Sequence, residues 1–143
     1  MKVKDLMTIG VEMVDSDASL VNAAAKMKSL DIGAMPVCIE DDIIGMITDR
    51  DITIRAIAEA MDPSNTTVND IMTPEVFLCH ENDDIAQAAN IMETDSVRRL
   101  IVLNSYEEPV GFISLADFSV KGHDEHLTWE VLERISEPAC PQR

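Results

Sequence analysis

The sequence repeats itself, and this duplication constrains the fold more than any other feature. The segment VKDLMT at residues 3–8 recurs as VNDIMT at residues 68–73, an offset of 65. The same offset aligns apolar positions of the first half with apolar positions of the second. After one inserted residue, GMITDRD at 45–51 aligns with GFISLAD at 111–117. A register kept over this length indicates two copies of one structural unit.

Each copy predicts an amphipathic helix followed by a hairpin. Apolar residues at helical spacing predict helices that begin near Leu20 and Ile85. Asp17, and Asn82 or Asp83, are the expected N-caps.

Two apolar runs then flank a short polar turn in each copy. They are 35–39 and 43–48 around 40–42, and 100–103 and 110–114 around 105–109. Connections this short cannot join parallel strands, so both pairs are predicted to be antiparallel hairpins.

The hairpins lead into further helices. We expect one over 49–61, its counterpart from Leu115 to a break near Gly122, and a last helix over 125–135.

These elements predict an α+β fold with two β-α-β-β-α repeats. A half of about 60 residues buries only a marginal core. We therefore expect the halves to pack sheet to sheet around a pseudo-two-fold axis. The expected boundaries are a first repeat at 1–62, a linker at 63–67, a second repeat at 68–122, and a C-terminal helix with a flexible tail at 123–143.

The charge and the cysteines narrow the function classes. The formal charge is −16, from 27 acidic and 11 basic residues, which disfavours nucleic acid and anionic membranes as partners. Cys38, Cys79 and Cys140 form no CxxC pair, as expected in a reducing cytosol. Neither a signal-peptide core nor an apolar run of about 18 residues is present. A cytoplasmic protein is predicted.

Taken together, the motifs resemble a known family. The order V-x-D-(L/I)-M-T, hairpin, G-h-I-(T/S)-x-x-D occurs twice over residues 1–120 and resembles a tandem pair of cystathionine β-synthase (CBS) domains. The resemblance implies a Bateman-type regulatory module without catalytic activity. Such modules bind AMP, ADP, ATP, S-adenosylmethionine or NAD in clefts between the paired halves, and commonly form disc-like homodimers.

Thr48 with Asp51, and Ser114 with Asp117, are the central candidate site residues. From the residues alone, each pair fits a capping box at a helix start. Each pair also fits a nucleoside clamp, because a carboxylate can accept both ribose hydroxyls, while a hydroxyl and a helix N-terminus suit phosphate. The resemblance favours the clamp, and the two roles are compatible.

The resemblance also implies the remaining ligand contacts. It assigns a base pocket and adenine contacts to Ala34, Met35 and Pro36, with Arg99 and Leu100 opposite, and to backbone groups around Val11 and Val76. Ile101 stands where the first copy has Pro36, so the two pockets are not expected to be equivalent.

Three arginines lie near these positions. Arg98 and Arg99 replace Gly33 and Ala34 of the first copy, and they fit either a phosphate contact or a solvated strand end. Arg50 fits phosphate as well, but surface pairing with a neighbouring carboxylate is favoured.

No metal site is predicted. His123 and His126 form only an unsupported H-x-x-H pattern, and the acidic residues 40–42 are better explained as a solvated hairpin tip than as a Mg²⁺ site. No covalent cofactor is expected, and Mg²⁺ would accompany ATP if ATP were the ligand.

These features are compatible with three functions. The favoured one is a stand-alone sensor that binds an adenosine-containing ligand, changes shape and signals to an unknown effector protein in trans. The alternative is a structural or protein-interaction module without a ligand. A hydrolase using Asp49, Asp51 and the histidines is the least favoured. The helix with Trp129 is the expected docking or dimer surface.

Overall fold

The repeated positions form the same elements in both copies. The computed structural model describes residues 1–120 and Leu132. It is a mixed α+β fold with two sheets and two repeats, as predicted. The predicted helix at 125–135, its Trp129, and the break near Gly122 lie outside the described residues.

Apart from β1 and the π-helical segment of the first copy, the elements follow one another in the same order in each copy. They are α1 (Val3–Leu6), β1 (Thr8–Ile9), β2 (Val14–Asp15), α2 (Leu20–Leu30), β3 (Ala34–Ile39), β4 (Asp42–Thr48), α3 (Asp49–Asp51) continued by a π-helical segment (Ile52–Ile57), α4 (Val68–Ile71), β5 (Leu78–His80), α5 (Ile85–Asp95), β6 (Arg99–Leu103), β7 (Pro109–Ser114) and α6 (Leu115–Val120).

The two long helices form where predicted, but their predicted N-caps are wrong. Ser19 caps α2 and Asp84 caps α5, each accepting an N–H of the first turn, at 3.1 and 2.9 Å. Asp17 lies too far ahead of the first turn to reach those groups, and Asn82 and Asp83 likewise precede the capping position. An N-cap oxygen reaches only the next two or three N–H groups.

Both predicted hairpins are confirmed as antiparallel pairs. β3 pairs with β4, and β6 pairs with β7. Each hairpin has a bulge at the same repeat position, at Val37/Cys38 and at Val102/Leu103. A short parallel strand lies beside each hairpin: β2 along β3, and β5 along β6.

The compact units of the fold exchange their opening segments. Val11–Val76 forms one unit, here called the first-repeat unit. Met1–Gly10 joins the chain from Phe77 onward in the other, here called the second-repeat unit. Thus α1, at the start of the first copy, lies in the core of the second-repeat unit, while α4 lies in the core of the first-repeat unit. The sequence interpretation, with each copy building its own unit, missed this exchange.

Apolar residues from both the helices and the sheet fill the core of each unit. In the first-repeat unit the buried residues are Val14, Leu20, Ala23, Met27, Met35, Val37, Ile47, Ala56, Val68 and Ile71. In the second-repeat unit they are Val3, Leu6, Cys79, Ile85, Ala88, Ala89, Met92, Leu100, Val102, Ile113 and Phe118. Apart from Phe118, these buried residues are aliphatic or carry sulfur.

Glycine allows the exchanged segments to approach the sheets. In the first-repeat unit, Thr73 and Met46 exchange N–H···O bonds of 2.9 Å in both directions. A Cβ on neighbouring Gly45 would lie 2.5 Å from the Thr73 carbonyl oxygen. In the second-repeat unit, β1 pairs with β7, and a Cβ on Gly111 would collide with the Thr8 carbonyl oxygen. The first residue of each G-h-I motif therefore serves the exchange.

Within the described residues, no helix has the length and apolar character needed to cross a bilayer.

Candidate functional site

Thr48 and Asp51 form the predicted capping box at the junction of β4 and α3. The Thr48 hydroxyl oxygen accepts the Asp51 N–H at 3.0 Å, and the Asp51 Oδ2 accepts the Thr48 N–H at 3.1 Å. These reciprocal bonds hold the carboxylate at one place beside the strand end. The Thr48 hydroxyl donates to no acceptor among the described residues, so its proton is available to a ligand.

Ser114 and Asp117 are arranged differently at the equivalent junction. Asp117 Oδ2 accepts both the Ser114 N–H at 2.8 Å and the Ser114 hydroxyl at 3.1 Å. The serine hydroxyl therefore donates to the carboxylate, whereas the threonine hydroxyl of the first copy accepts from the backbone. Both junctions therefore have the bond from the N-cap N–H to the aspartate that a capping box requires.

The strand that carries the predicted base pocket begins directly opposite each junction. Ala34 faces Thr48 across the β3–β4 pair, and Arg99 faces Ser114 across the β6–β7 pair. The first N–H of the helix after each junction donates to the carbonyl of the residue before that strand. In α3, Asp49 donates to Gly33 at 2.9 Å, and in α6, Leu115 donates to Arg98 at 2.8 Å. The two junctions thus have the same backbone frame and different side chains.

Not all of the predicted base-pocket residues present a side chain to a ligand. Met35 and Leu100 are fully buried in the cores of their own units, so these side chains pack inward. Ala34 and Pro36 are also buried, but they lie on the opposite face of β3 from Met35. In β3 and β6, the strand face opposite Met35 and Leu100 is therefore the one that remains for ligand contacts.

Arg50, Arg98 and Arg99 make no ion pair with a carboxylate among the described residues. Arg98 and Arg99 are exposed, and neither makes a salt bridge within residues 1–120. Arg50 is exposed too, and the favoured surface pairing is not found: its side chain contacts no carboxylate in the described part of the chain. In a chain of charge −16, a guanidinium group without an ion pair among the described residues attracts anions to its own junction.

The backbone groups at Val11 and Val76 are unpaired. Both valines are partly buried and lie outside the strands, at the two ends of the first-repeat unit. Neither residue's N–H or C=O makes a backbone hydrogen bond in the described chain. Such groups can bond to the edge of a base without breaking secondary structure.

Arg55 is a residue of the site that the sequence analysis missed. Its Nε lies 3.8 Å from Asp51 Oδ1, one helical turn away, and its Nη1 donates to the carbonyls of Ile71 and Met72 at 3.1 and 3.2 Å. The i, i+4 spacing of Asp51 and Arg55 is the signal from which the ion pair could have been predicted.

Cys79, Cys38 and His80 lie away from the two junctions, in the cores and at the surface. Burial, aided by the Asp83 carboxylate, raises the pKa of the Cys79 thiol to about 12. Burial also raises the pKa of Cys38 above its ordinary value. His80 Nε2 lies 2.9 Å from a Glu107 carboxylate oxygen at the surface. Within residues 1–120, no three His, Cys, Asp or Glu side chains converge to hold a metal; His123 and His126 lie outside the described residues.

Comparison with known proteins identifies the family. Residues 3–58 and 68–120 each match the family model of the CBS domain. The chain therefore belongs to the CBS domain family and carries the domain twice, as the resemblance implied.

Similar proteins show what chains of this family can bind. The hypoxic response protein 1 of Mycobacterium tuberculosis is 34% identical over 136 residues, spanning 94% of each chain. A crystal structure of Hypoxic Response Protein I with two coordinated zinc ions matches 83% of this chain and 97% of that one, with a TM-score of 0.71 and 34% identity. The CBS domain pair of protein MJ0100, in complex with 5′-methylthioadenosine and S-adenosyl-L-methionine, matches 83% of this chain and 93% of that one, with a TM-score of 0.70 and 26% identity.

Proposed function

We propose that this CBS pair is a non-catalytic sensor that binds an adenosine-containing ligand through Asp51, Asp117 or both, and signals to an effector protein in trans. AMP, ADP, ATP, S-adenosylmethionine and NAD are the candidate ligands. Mg²⁺ enters only with ATP. The proposal includes a homodimer and a cytoplasmic location, where the buried Cys38 and Cys79 stay reduced.

The position of the Asp51 carboxylate is the observation that carries this proposal. One oxygen is held by the Thr48 N–H, and the side chain keeps 14% of its surface exposed. A carboxylate oxygen has two acceptor sites, so this group has the capacity to accept ribose hydroxyls while it remains a helix cap. The capping role and the binding role are therefore compatible.

Phosphate recognition is supported by a different group at each junction. The Thr48 hydroxyl retains its proton for a ligand. Arg98 and Arg99 offer unpaired guanidinium groups beside the Ser114 junction. Because the Ser114 proton is engaged by Asp117, the two junctions are expected to differ in their preference for charged and uncharged adenosine ligands.

The homodimer has a candidate surface within the described chain. Ile54 and Ile57 of the π-helical segment and Met61, four residues after it, are all exposed. An unpartnered apolar stripe on an acidic protein is typical of an interaction surface. The C-terminal helix with Trp129, the surface favoured from the sequence, lies outside the described residues.

Thermal denaturation with a panel of AMP, ATP, NAD, S-adenosylmethionine and 5′-methylthioadenosine tests the binding. A true ligand stabilises the protein by about 2.7 kcal/mol at a hundred times its Kd, and the shift grows with concentration. Calorimetry then gives Kd for the wild type and for Asp51→Ala and Asp117→Ala. Losing hydrogen bonds to a charged group should weaken binding roughly 10- to 150-fold at an occupied site.

Asp70→Ala is the matched control. Asp70 closes the same kind of capping box and accepts the Thr67 N–H at 3.0 Å. Unlike Asp51 and Asp117, it is not a predicted ligand contact. Its loss should change stability and leave Kd unchanged. A ligand lacking the 2′- and 3′-hydroxyls should bind the wild type as weakly as the complete ligand binds Asp51→Ala.

If no member of the panel shifts the transition, the sensor proposal is wrong and the structural module without a ligand is favoured. If a ligand binds equally well to Asp51→Ala and Asp117→Ala, both carboxylates are only helix caps.

A further inference from the structure

Arg55 connects two parts of the first-repeat unit that the fold brings together from distant positions in the sequence. Its Nε faces Asp51 Oδ1, while its Nη1 holds the last carbonyls of the exchanged helix α4. We propose that Arg55 is the positioning residue of the Asp51 carboxylate, and that it transmits ligand occupancy at Asp51 to the exchanged segment 68–76. The second half of this inference rests on the proposed function.

The carboxylate of Asp51 has one oxygen fixed and one oxygen facing Arg55. Oδ2 accepts the Thr48 N–H at 3.1 Å, and Oδ1 lies 3.8 Å from the guanidinium. Ribose hydroxyls that bond to Oδ1 compete with Arg55 for that oxygen. A phosphate group would draw the same guanidinium away through charge-assisted bonds. Either ligand contact changes the partner of Arg55.

The other end of the connection depends on this guanidinium. α4 is only four residues long, and its terminal carbonyls have no partners inside the helix. Arg55 donates to two of them, on Ile71 and Met72, and places a positive charge at the negative end of the helix. When Arg55 turns toward a ligand, these carbonyls lose that donor.

The segment after α4 leads to a predicted ligand contact. Thr73 is fixed to β4 by its two bonds with Met46, and the chain then runs to Val76, whose backbone groups are unpaired. Arg55 and the Thr73 bridge are thus two hydrogen-bonded attachments between the Asp51 region and the segment that ends at Val76. A change at Arg55 removes one of these attachments, so the adjoining Thr73 bridge opens more often.

The attraction between Arg55 and Asp51 is moderate, so a ligand can compete with it. The Arg55 side chain is 49% exposed, so solvent screens its attraction to Asp51. Coupling between exposed ion pairs corresponds to roughly a 1.4- to 5-fold change in an equilibrium. With the one inserted residue counted, the equivalent position in the second copy is Lys121, outside the described residues, and an ammonium group lacks the planar fork of Arg.

Hydrogen exchange on the intact, ligand-free protein tests the positioning role. The reporters are the amides of Met72 and Thr73, both of which are hydrogen-bonded in the structure. Arg55→Met should raise their exchange several-fold, and Arg55→Lys should restore part of the protection. Asp51→Asn should raise the exchange rate of these amides about 1.4- to 5-fold when Arg55 is present. In the Arg55→Met background, Asp51→Asn should not change the rate. Additive effects would overturn the proposal.

Two probes, AMP and S-adenosylmethionine, test the transmission. A bound probe should change exchange over residues 68–76 in the wild type, whereas Arg55→Met should bind the probe and show no change there. An equal change in both proteins would overturn the transmission. If neither probe binds, the proposed function and the transmission fail together, while the ligand-free mutant cycle still decides the positioning role. Arg55→Lys carries the test if Arg55→Met does not fold.

Discussion

At the scale of single residues, Thr48 shows how one hydroxyl can serve both stability and binding. Its oxygen accepts the Asp51 N–H, while its proton has no acceptor in the described chain. Thr48→Val keeps the shape and the extended backbone of this residue and removes only the hydroxyl. We expect a loss of about 0.5–2 kcal/mol in the free energy of unfolding, the usual cost of an N-cap oxygen.

Urea denaturation measures this loss, and Thr48→Ser is the control because it keeps the oxygen. The same two variants, Thr48→Val and Thr48→Ser, test the proposed role of the hydroxyl in ligand binding. If the hydroxyl proton binds phosphate, Thr48→Val should weaken AMP binding more than adenosine binding, and Thr48→Ser should not. Equal effects on AMP and adenosine would assign Thr48 to capping alone.

Cys79 makes a pH-dependent contribution to stability. Burial holds the pKa of its thiol at about 12 in the folded protein, against an ordinary value of 9.0. Between these values the unfolded chain loses the proton and the folded protein keeps it. Ionisation therefore stabilises the unfolded state, and stability that is complete below pH 9 declines as the pH rises toward 12.

Cys79→Val tests this contribution because valine occupies the equivalent position, Val14, in the first copy. Denaturant midpoints measured across the alkaline range should fall less steeply with pH in Cys79→Val than in the wild type. Parallel pH profiles would show that the thiol does not contribute. The same burial predicts that Cys79 reacts with thiol reagents only after unfolding.

At the scale of elements, the exchanged segments depend on two glycines. Alanine at position 45 or 111 would place a methyl group against a backbone carbonyl of the crossing segment, which cannot move aside as a side chain can. We expect Gly45→Ala and Gly111→Ala each to cost about 1–3 kcal/mol in unfolding free energy. Thermal denaturation gives the values.

Gly33→Ala is the comparison for those variants. Its added Cβ would meet a carboxylate oxygen of Asp49 at 3.0 Å, and that side chain can rotate away. Gly33→Ala should therefore cause the smallest loss of unfolding free energy of the three variants. A larger loss for Gly33→Ala than for Gly45→Ala would mean that close approach of the exchanged segments does not set the cost.

The elements that could be predicted from the sequence are those that depend on local patterns. Helical spacing after Leu20 and Ile85, and two apolar runs around each short turn, were sufficient for α2, α5 and both hairpins. The capping box at Thr48 was equally local. The N-caps at Ser19 and Asp84 were missed because several polar residues precede each helix, and only the backbone conformation decides among them.

The exchange and the role of Arg55 depend on long-range pairing, which a single sequence does not display. The segments 3–8 and 68–73 look the same, so the repeat pattern cannot tell which copy each one joins. Because α4 lies in the first-repeat unit, Arg55 can donate to the carbonyls of Ile71 and Met72, which are 16 and 17 residues away in the sequence. The inward packing of Met35 and Leu100 likewise follows from strand register.

At the scale of the whole molecule, the exchange predicts which fragment of the chain can fold alone. A cut at the apparent repeat boundary, giving residues 1–62, removes α4 and with it the fully buried Val68 and nearly buried Ile71. Losing two buried aliphatic side chains costs about 3–6 kcal/mol. A domain of this size is stable by only about 3–5 kcal/mol, so this fragment should be unfolded.

Residues 11–76 instead contain the whole first-repeat unit, with its sheet, α2, α4 and every residue of its core cluster. This fragment should show helical circular dichroism and a cooperative urea transition, whereas 1–62 should show neither. The fragment 1–62 also carries Val3 and Leu6 without the core that buries them, which should promote aggregation. Equal stability of the two fragments would mean that α4 is not needed by the first copy, and that the exchange of segments does not define the folding unit.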